Sequence, residues 1–136
     1  MKELDICNSS GSKTVLVVDD NEFNRELVRD ILEDEDIIVY EADDGMKAVE
    51  IIRSDIHKKI DVVLMDIRMP VMDGIEATCL IRKGDGLNAN VPIIAMTANT
   101  FETDCKELLS KGMNGVIVKP VDVNTLADQI AKLAGW

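Results

Sequence analysis

Five side chains in this sequence could do chemistry together if the fold brought them to one place: Asp19, Asp20, Asp66, Thr97 and Lys119. Each site follows a short apolar run, namely Val15–Val18, Val62–Met65, Ile93–Met96 and Val116–Val118. Three carboxylates within a few ångströms repel one another unless a cation sits among them. Oxygen donors without His or Cys suit a hard ion, and Mg²⁺ is the usual one beside phosphate. A carboxylate can also attack a phosphoryl group to form an aspartyl phosphate. Lysine and a threonine hydroxyl can then hold the phosphoryl oxygens, with the metal neutralising the remaining charge. Each residue alone has a plainer use. An Asp after a strand commonly caps the next helix, and Asp19 or Asp20 alone is as readily a cap as a ligand. Asp66 alone reads as a turn former, Thr97 as a turn or cap residue, Lys119 as a solvated lysine. Chance does not readily set all of them at successive strand ends of one sheet.

What must position them is an alternation of short apolar runs and helix-period segments. The runs named above, with Ile37–Tyr40, are apolar at successive positions, as parallel strands buried on both faces are. Phe23, Leu27, Val28, Ile31 and Leu32 form one helical stripe, and Ala48, Val49, Ile52 and Ile56 another. The last helix carries Val123, Leu126, Ala127, Ile130, Leu133 and Ala134 on one face, with Asp122 as its expected N-cap. Segments 74–83 and 99–111 are weaker but compatible. Five β/α units predict an α/β fold: an open parallel sheet with helices on both faces. Ligands of such sheets bind outside the carboxyl ends of the strands. Residues 1–13 lack periodicity and end in a Ser/Gly cluster, which reads as a tail or linker ahead of a domain over 14–136.

The 136 residues fit one domain large enough to need no staples. Hydrophobic residues at 46% and charged ones at 30% exclude a disordered chain. Cys7, Cys79 and Cys105 are odd in number and show no ligand spacing to His57, so disulfide and zinc readings both fail. Cys79 and Cys105 read as small core residues. No segment is long enough to span a membrane and no leader pattern is visible, so a cytoplasmic location without direct membrane contact is expected. A formal charge of −11 argues against direct nucleic-acid binding and leaves proteins or small cations as partners.

The stretches VLVVDDNEFNR, LMDIRMPVMDG, AMTAN and VIVKP, in that order and separation, closely resemble the response-regulator receiver family from Lys13 to about Leu133. The resemblance implies a flavodoxin-like (βα)5 fold with strand order 2-1-3-4-5. It implies Asp66 as phospho-acceptor, with Thr97 and Lys119 contacting the phosphoryl group. It further implies Asp20 and Asp66 as side-chain ligands of Mg²⁺, Asp19 reaching it largely through water, and the backbone carbonyl of Arg68 as the remaining protein ligand. Arg68 and Asn99 match positions flanking the path of hydrolytic water. Lys119-Pro120 resembles the family's cis peptide. Pro70 and Gly74 shape the loop after Asp66, where a glycine can adopt a backbone conformation closed to other residues. One position departs: Val116 stands where the family usually has Tyr or Phe, three residues before the lysine.

The function implied is a phospho-accepting module of a two-component phosphorelay, not an enzyme by itself, fed by a histidine kinase or a histidine phosphotransfer protein. The wording DDNEFNR and MTAN is especially like receivers of hybrid histidine kinases, and the linker-like start inclines the reading to a piece of one over a stand-alone receiver. Other classes fit less well. A haloacid-dehalogenase-like phosphohydrolase wants a second Asp two residues after its nucleophile, where Arg68 stands, and a cap domain. A flavodoxin-like electron carrier wants a Ser/Thr/Gly-rich phosphate loop where DDNEFNR stands. A degenerate receiver acting only as a scaffold would lack part of the chemical set. Cognate kinase, stimulus, output and oligomeric state have no signal in the sequence.

Overall fold

The computed structural model describes residues 13–54, 59–69, 71–84, 86, 88–98 and 105–136. Its elements in chain order are β1 (Thr14–Val18), α1 (Glu22–Glu33), β2 (Ile38–Ala42), α2 (Gly45–Arg53) and β3 (Val62–Asp66). Then follow α3 (Gly74–Lys83), β4 (Ile93–Thr97), α4 (Cys105–Ser110), β5 (Gly115–Val118) and α5 (Leu126–Ala134). The strands form one parallel sheet in the order β2-β1-β3-β4-β5, as expected from the resemblance.

The period-2 pleat explains why the runs are apolar throughout: alternate side chains feed two separate cores. Leu16, Val18, Val63, Met65, Ile93 and Ala95 face one core, shared with Ala48, Ile52, Ala77, Ile81 and Leu108 of α2, α3 and α4. Val15, Val17, Val62, Leu64, Ile94 and Met96 face the other, shared with Val28, Leu32, Leu126 and Ile130 of α1 and α5. Every residue of β3 and of β4 is buried.

Several side chains lie elsewhere than the periodicity predicts. Phe23 is 72% exposed, because the buried stripe of α1 begins only at Val28. Val123 is 61% exposed, because it lies in a turn ahead of α5. Asp122 does not cap that helix. Its carboxylate accepts the Asn124 N–H at 2.8 Å, its carbonyl accepts those of Thr125 and Leu126, and Thr125 stands at the N-cap without a side-chain bond. Cys79 is only half-buried, and Cys105, the first residue of α4, is exposed. Gly74 does not adopt a left-handed backbone; positive φ in this loop falls on Val71, at 70°. Gly74 is needed for space, since a Cβ there would lie 2.4 Å from the Asp66 carbonyl oxygen. Ile56, Pro70 and residues 99–104 lie outside the described residues.

Candidate acidic site at the carboxyl ends of the strands

The parallel register sets the strand ends level: Val18 pairs with Met65, Asp66 with Met96, and Thr97 with Val118. Asp19, Asp66, Thr97 and Lys119 therefore leave neighbouring strands on one edge, with Lys119 N–H bonded to the Thr97 carbonyl at 2.7 Å. One oxygen from each of Asp19, Asp20 and Asp66 lies within 4.8 Å of the others. Asp19 is 2% exposed and Asp66 is buried, while Asp20 is exposed.

The plainer reading of these aspartates as helix caps is answered by the caps themselves. Asn21 caps α1, accepting from Asn24 at 3.0 Å. Asp44 caps α2 and Asp73 caps α3, each accepting at 2.8 Å. The site carboxylates are occupied otherwise. Asp19 accepts the Asn21 N–H on Oδ1 at 2.9 Å and the Lys119 ammonium on Oδ2 at 3.0 Å. Asp66 accepts the Arg68 N–H on Oδ1 at 3.1 Å and Lys119 Nζ on Oδ2 at 3.1 Å. Lys119 thus lies between two acids.

Burial pushes the Asp66 carboxyl above its ordinary value, and the like charge of Asp19 adds to this; the bonds from Lys119 and Arg68 act the other way without cancelling it. Burial alone would draw the Lys119 ammonium down, but its hydrogen bonds and attraction to Asp19 and Asp66 outweigh that and hold it above the usual lysine value. The cluster is oxygen-only and its negative charge exceeds what one ammonium neutralises. Such a donor set fits a hard divalent ion.

Thr97 and Arg68 line, with Asp66 and Lys119, a cleft of about 190 Å³. The Lys119-Pro120 peptide is cis. Val116 pairs with Ala95 and packs half-buried against the core that holds Leu108, so it lies behind the site and not in it. Asn99 lies outside the described residues. Asp19, Asp20 and Asp66 thus lie together, Lys119 joins two of them, and Thr97 shares the cleft with Asp66 and Lys119.

The structure also holds a bracket that the periodicity did not reveal. Arg25 donates from Nη1 to the Asp19 carbonyl at 2.8 Å and from Nε to Glu41 Oε1 at 3.1 Å. Glu41 in turn is bonded to Arg29, one turn further along α1. One of two arginines on a largely charged helix, Arg25 gives no sign in its spacing that it points at a strand end. The only available signal was its place within DDNEFNR.

The model of the response regulator receiver domain family matches residues 15–131. The chain is 42% identical over 120 residues to the chemotaxis protein CheY of Halobacterium salinarum, covering 88% of this chain and 95% of that one. It is 37% identical over 123 residues to the CAI-1 autoinducer sensor kinase/phosphatase CqsS of Vibrio cholerae, covering 90% of this chain but only 18% of the kinase. Among solved structures, the receiver domain of sensor histidine kinase PA1611 from Pseudomonas aeruginosa, with magnesium coordinated in its active-site cleft, superposes with a TM-score of 0.79. It is 33% identical, covering 92% of this chain and 99% of that domain. The receiver domain of the Saccharomyces cerevisiae response regulator Ssk1, solved with the histidine phosphotransfer protein Ypd1, gives a TM-score of 0.77 at 28% identity, covering 91% and 90%.

Proposed function

This chain belongs to the response regulator receiver domain family of two-component systems, and we propose that it accepts a phosphoryl group on Asp66 in the presence of Mg²⁺. The observation that carries the proposal is the buried Asp66 carboxylate sharing one ammonium with Asp19, at 3.1 and 3.0 Å, in an acidic cluster beside the Thr97 cleft. The receiver unit is residues 14–136, with 1–13 as its tail. The phosphoryl donor is a phosphohistidine on a kinase or phosphotransfer protein, in keeping with the Ypd1 complex of the Ssk1 receiver.

Asp20 and Asp66, with the Arg68 carbonyl and Asp19 more remotely, would hold the ion. When bound, Mg²⁺ supplies positive charge against both the carboxylates and the phosphoryl oxygens. An Asp66 oxygen donates a lone pair to phosphorus and an O–P bond forms. The donor's P–N bond breaks, its electron pair returns to the imidazole nitrogen, and that nitrogen takes a proton from water. Lys119 spends two of its three N–H donors on Asp19 and Asp66 among the described residues, which leaves one for a phosphoryl oxygen. The Thr97 hydroxyl serves a second oxygen from the next strand end.

Incubation with acetyl phosphate and Mg²⁺ should raise the intact mass by one phosphoryl group, and EDTA or Asp66→Asn should each prevent it. An unchanged wild-type mass, or a shift that persists in Asp66→Asn, would contradict the proposal.

A further inference from the structure

Asp20 is exposed, so little packing aims its carboxylate; what fixes it is the backbone from which it hangs. The Asp19–Asp20 peptide is planar, so holding the Asp19 carbonyl oxygen also holds the nitrogen and Cα of Asp20. That oxygen is gripped by Arg25 Nη1 at 2.8 Å. The guanidinium is itself fixed by Glu41 at 3.1 Å, its side chain is 15% exposed, and Glu41 sits on β2 paired with Val17 of β1. On the other side of the same turn, the Arg25 N–H bonds the Asn21 carbonyl at 3.1 Å, and the Asp19 N–H bonds the Ala42 carbonyl at 3.2 Å. Backbone bonds thus tie the turn at its two ends, and the Arg25 side chain alone joins the Asp19 carbonyl to both α1 and β2. We infer that Arg25 is a positioning residue for the metal site, fixing the peptide plane from which Asp20 enters it. The inference rests on the reading above that the cluster holds Mg²⁺.

Charge and geometry give opposite expectations. Removing a cation from the neighbourhood of three carboxylates should, by Coulomb attraction alone, tighten binding of a divalent ion. Removing the clamp should loosen it, because Asp20 is no longer pre-aimed. A merely structural role would lower the melting temperature and leave affinity unmoved well below it.

The test is an NMR titration of the whole chain with Mg²⁺, following backbone amides in wild type, Asp20→Ala, Arg25→Met and Arg25→Lys. Arg25→Met should weaken Mg²⁺ binding by about tenfold, the low end for loss of an outer-shell partner. Arg25→Lys keeps the charge but not the fork, so it should weaken binding to a smaller extent. The amides of Asp20 and Asn21 should shift or broaden in metal-free Arg25→Met. Unchanged or tighter binding in Arg25→Met, while Asp20→Ala abolishes it, would overturn the inference and leave the metal site standing. If Arg25→Met does not fold, unchanged affinity in Arg25→Lys overturns it equally. Absence of saturable shifts in wild type would remove the metal reading and the inference with it.

Discussion

Burial beside another acid raises the cost of the Asp66 charge, which the proposed phosphoryl acceptance would need. The pKa of this carboxyl lies above the ordinary value, chiefly through burial, so the folded chain holds its proton more tightly than the unfolded chain does. The sign follows. The metal-free fold bears no penalty from Asp66 below the unfolded carboxylate range near 4, and the penalty grows as pH rises through the folded pKa. In EDTA, Asp66→Asn should therefore melt above wild type at neutral pH, with the gain shrinking as pH falls through the carboxylate range. A gain that grows on acidification would contradict this. Mg²⁺ should raise the melting temperature of wild type more than that of Asp66→Asn. At the mouth of the same cleft, exposed Arg68 can cover a phosphoryl group and offer donors to it. Arg68→Ala should still be phosphorylated but lose the group severalfold faster once acetyl phosphate is removed. Equal or slower decay, read by intact mass, would show that it does not shield.

Elements matter here through where their ends meet. The first residue of α3 packs so closely under the β3 end that a Cβ at Gly74 would also lie 2.9 Å from Met65 Cγ, besides striking the Asp66 carbonyl. Gly74→Ala should thus cost about 1–3 kcal/mol as an overpacking change and disturb the Asp66 and Arg68 amides. Gly86→Ala, with nothing within 4 Å, should do neither. Equal melting temperatures for the two variants would refute the close-approach account. The β5 element carries Val116, whose branched side chain has few rotamers and serves as packing toward Leu108. Beryllofluoride should then shift amides across 98–111 in both wild type and Val116→Ala. Their loss in Val116→Ala would show that Val116 does more than pack. Apolar runs located these elements because the three central strands, β1, β3 and β4, are buried on both faces, while the edge strands β2 and β5 leave Ile38 and Val118 exposed. Periodicity misjudged Phe23 and Val123 because a helical stripe does not reveal where a helix first meets the sheet. It misjudged Gly74 because glycine serves either conformation or space, and one letter does not distinguish them.

Across the whole molecule, the site draws its side chains from the ends of four strands, β1, β3, β4 and β5, and these lie up to a hundred residues apart, as Lys119 and Asp19 do. The carboxylates, Thr97 and Lys119 were legible because they follow apolar runs that could only be parallel strands, and parallel strands bring their carboxyl ends together. Arg25 was not legible as part of the site, because its reach to the Asp19 carbonyl depends on how α1 lies against β1 and β2. Among the described residues no helix is long and apolar enough to cross a membrane. A phosphoryl group accepted at this edge should rest on one carboxylate. Borohydride reduction of the phosphorylated chain, followed by peptide mapping, reads the attachment point directly. Asp66, alone among the aspartates, should be converted to homoserine, and only in samples phosphorylated with Mg²⁺. Conversion at Asp19 or Asp20, or a phosphoryl group found on a residue outside the cluster, would contradict the assignment to Asp66.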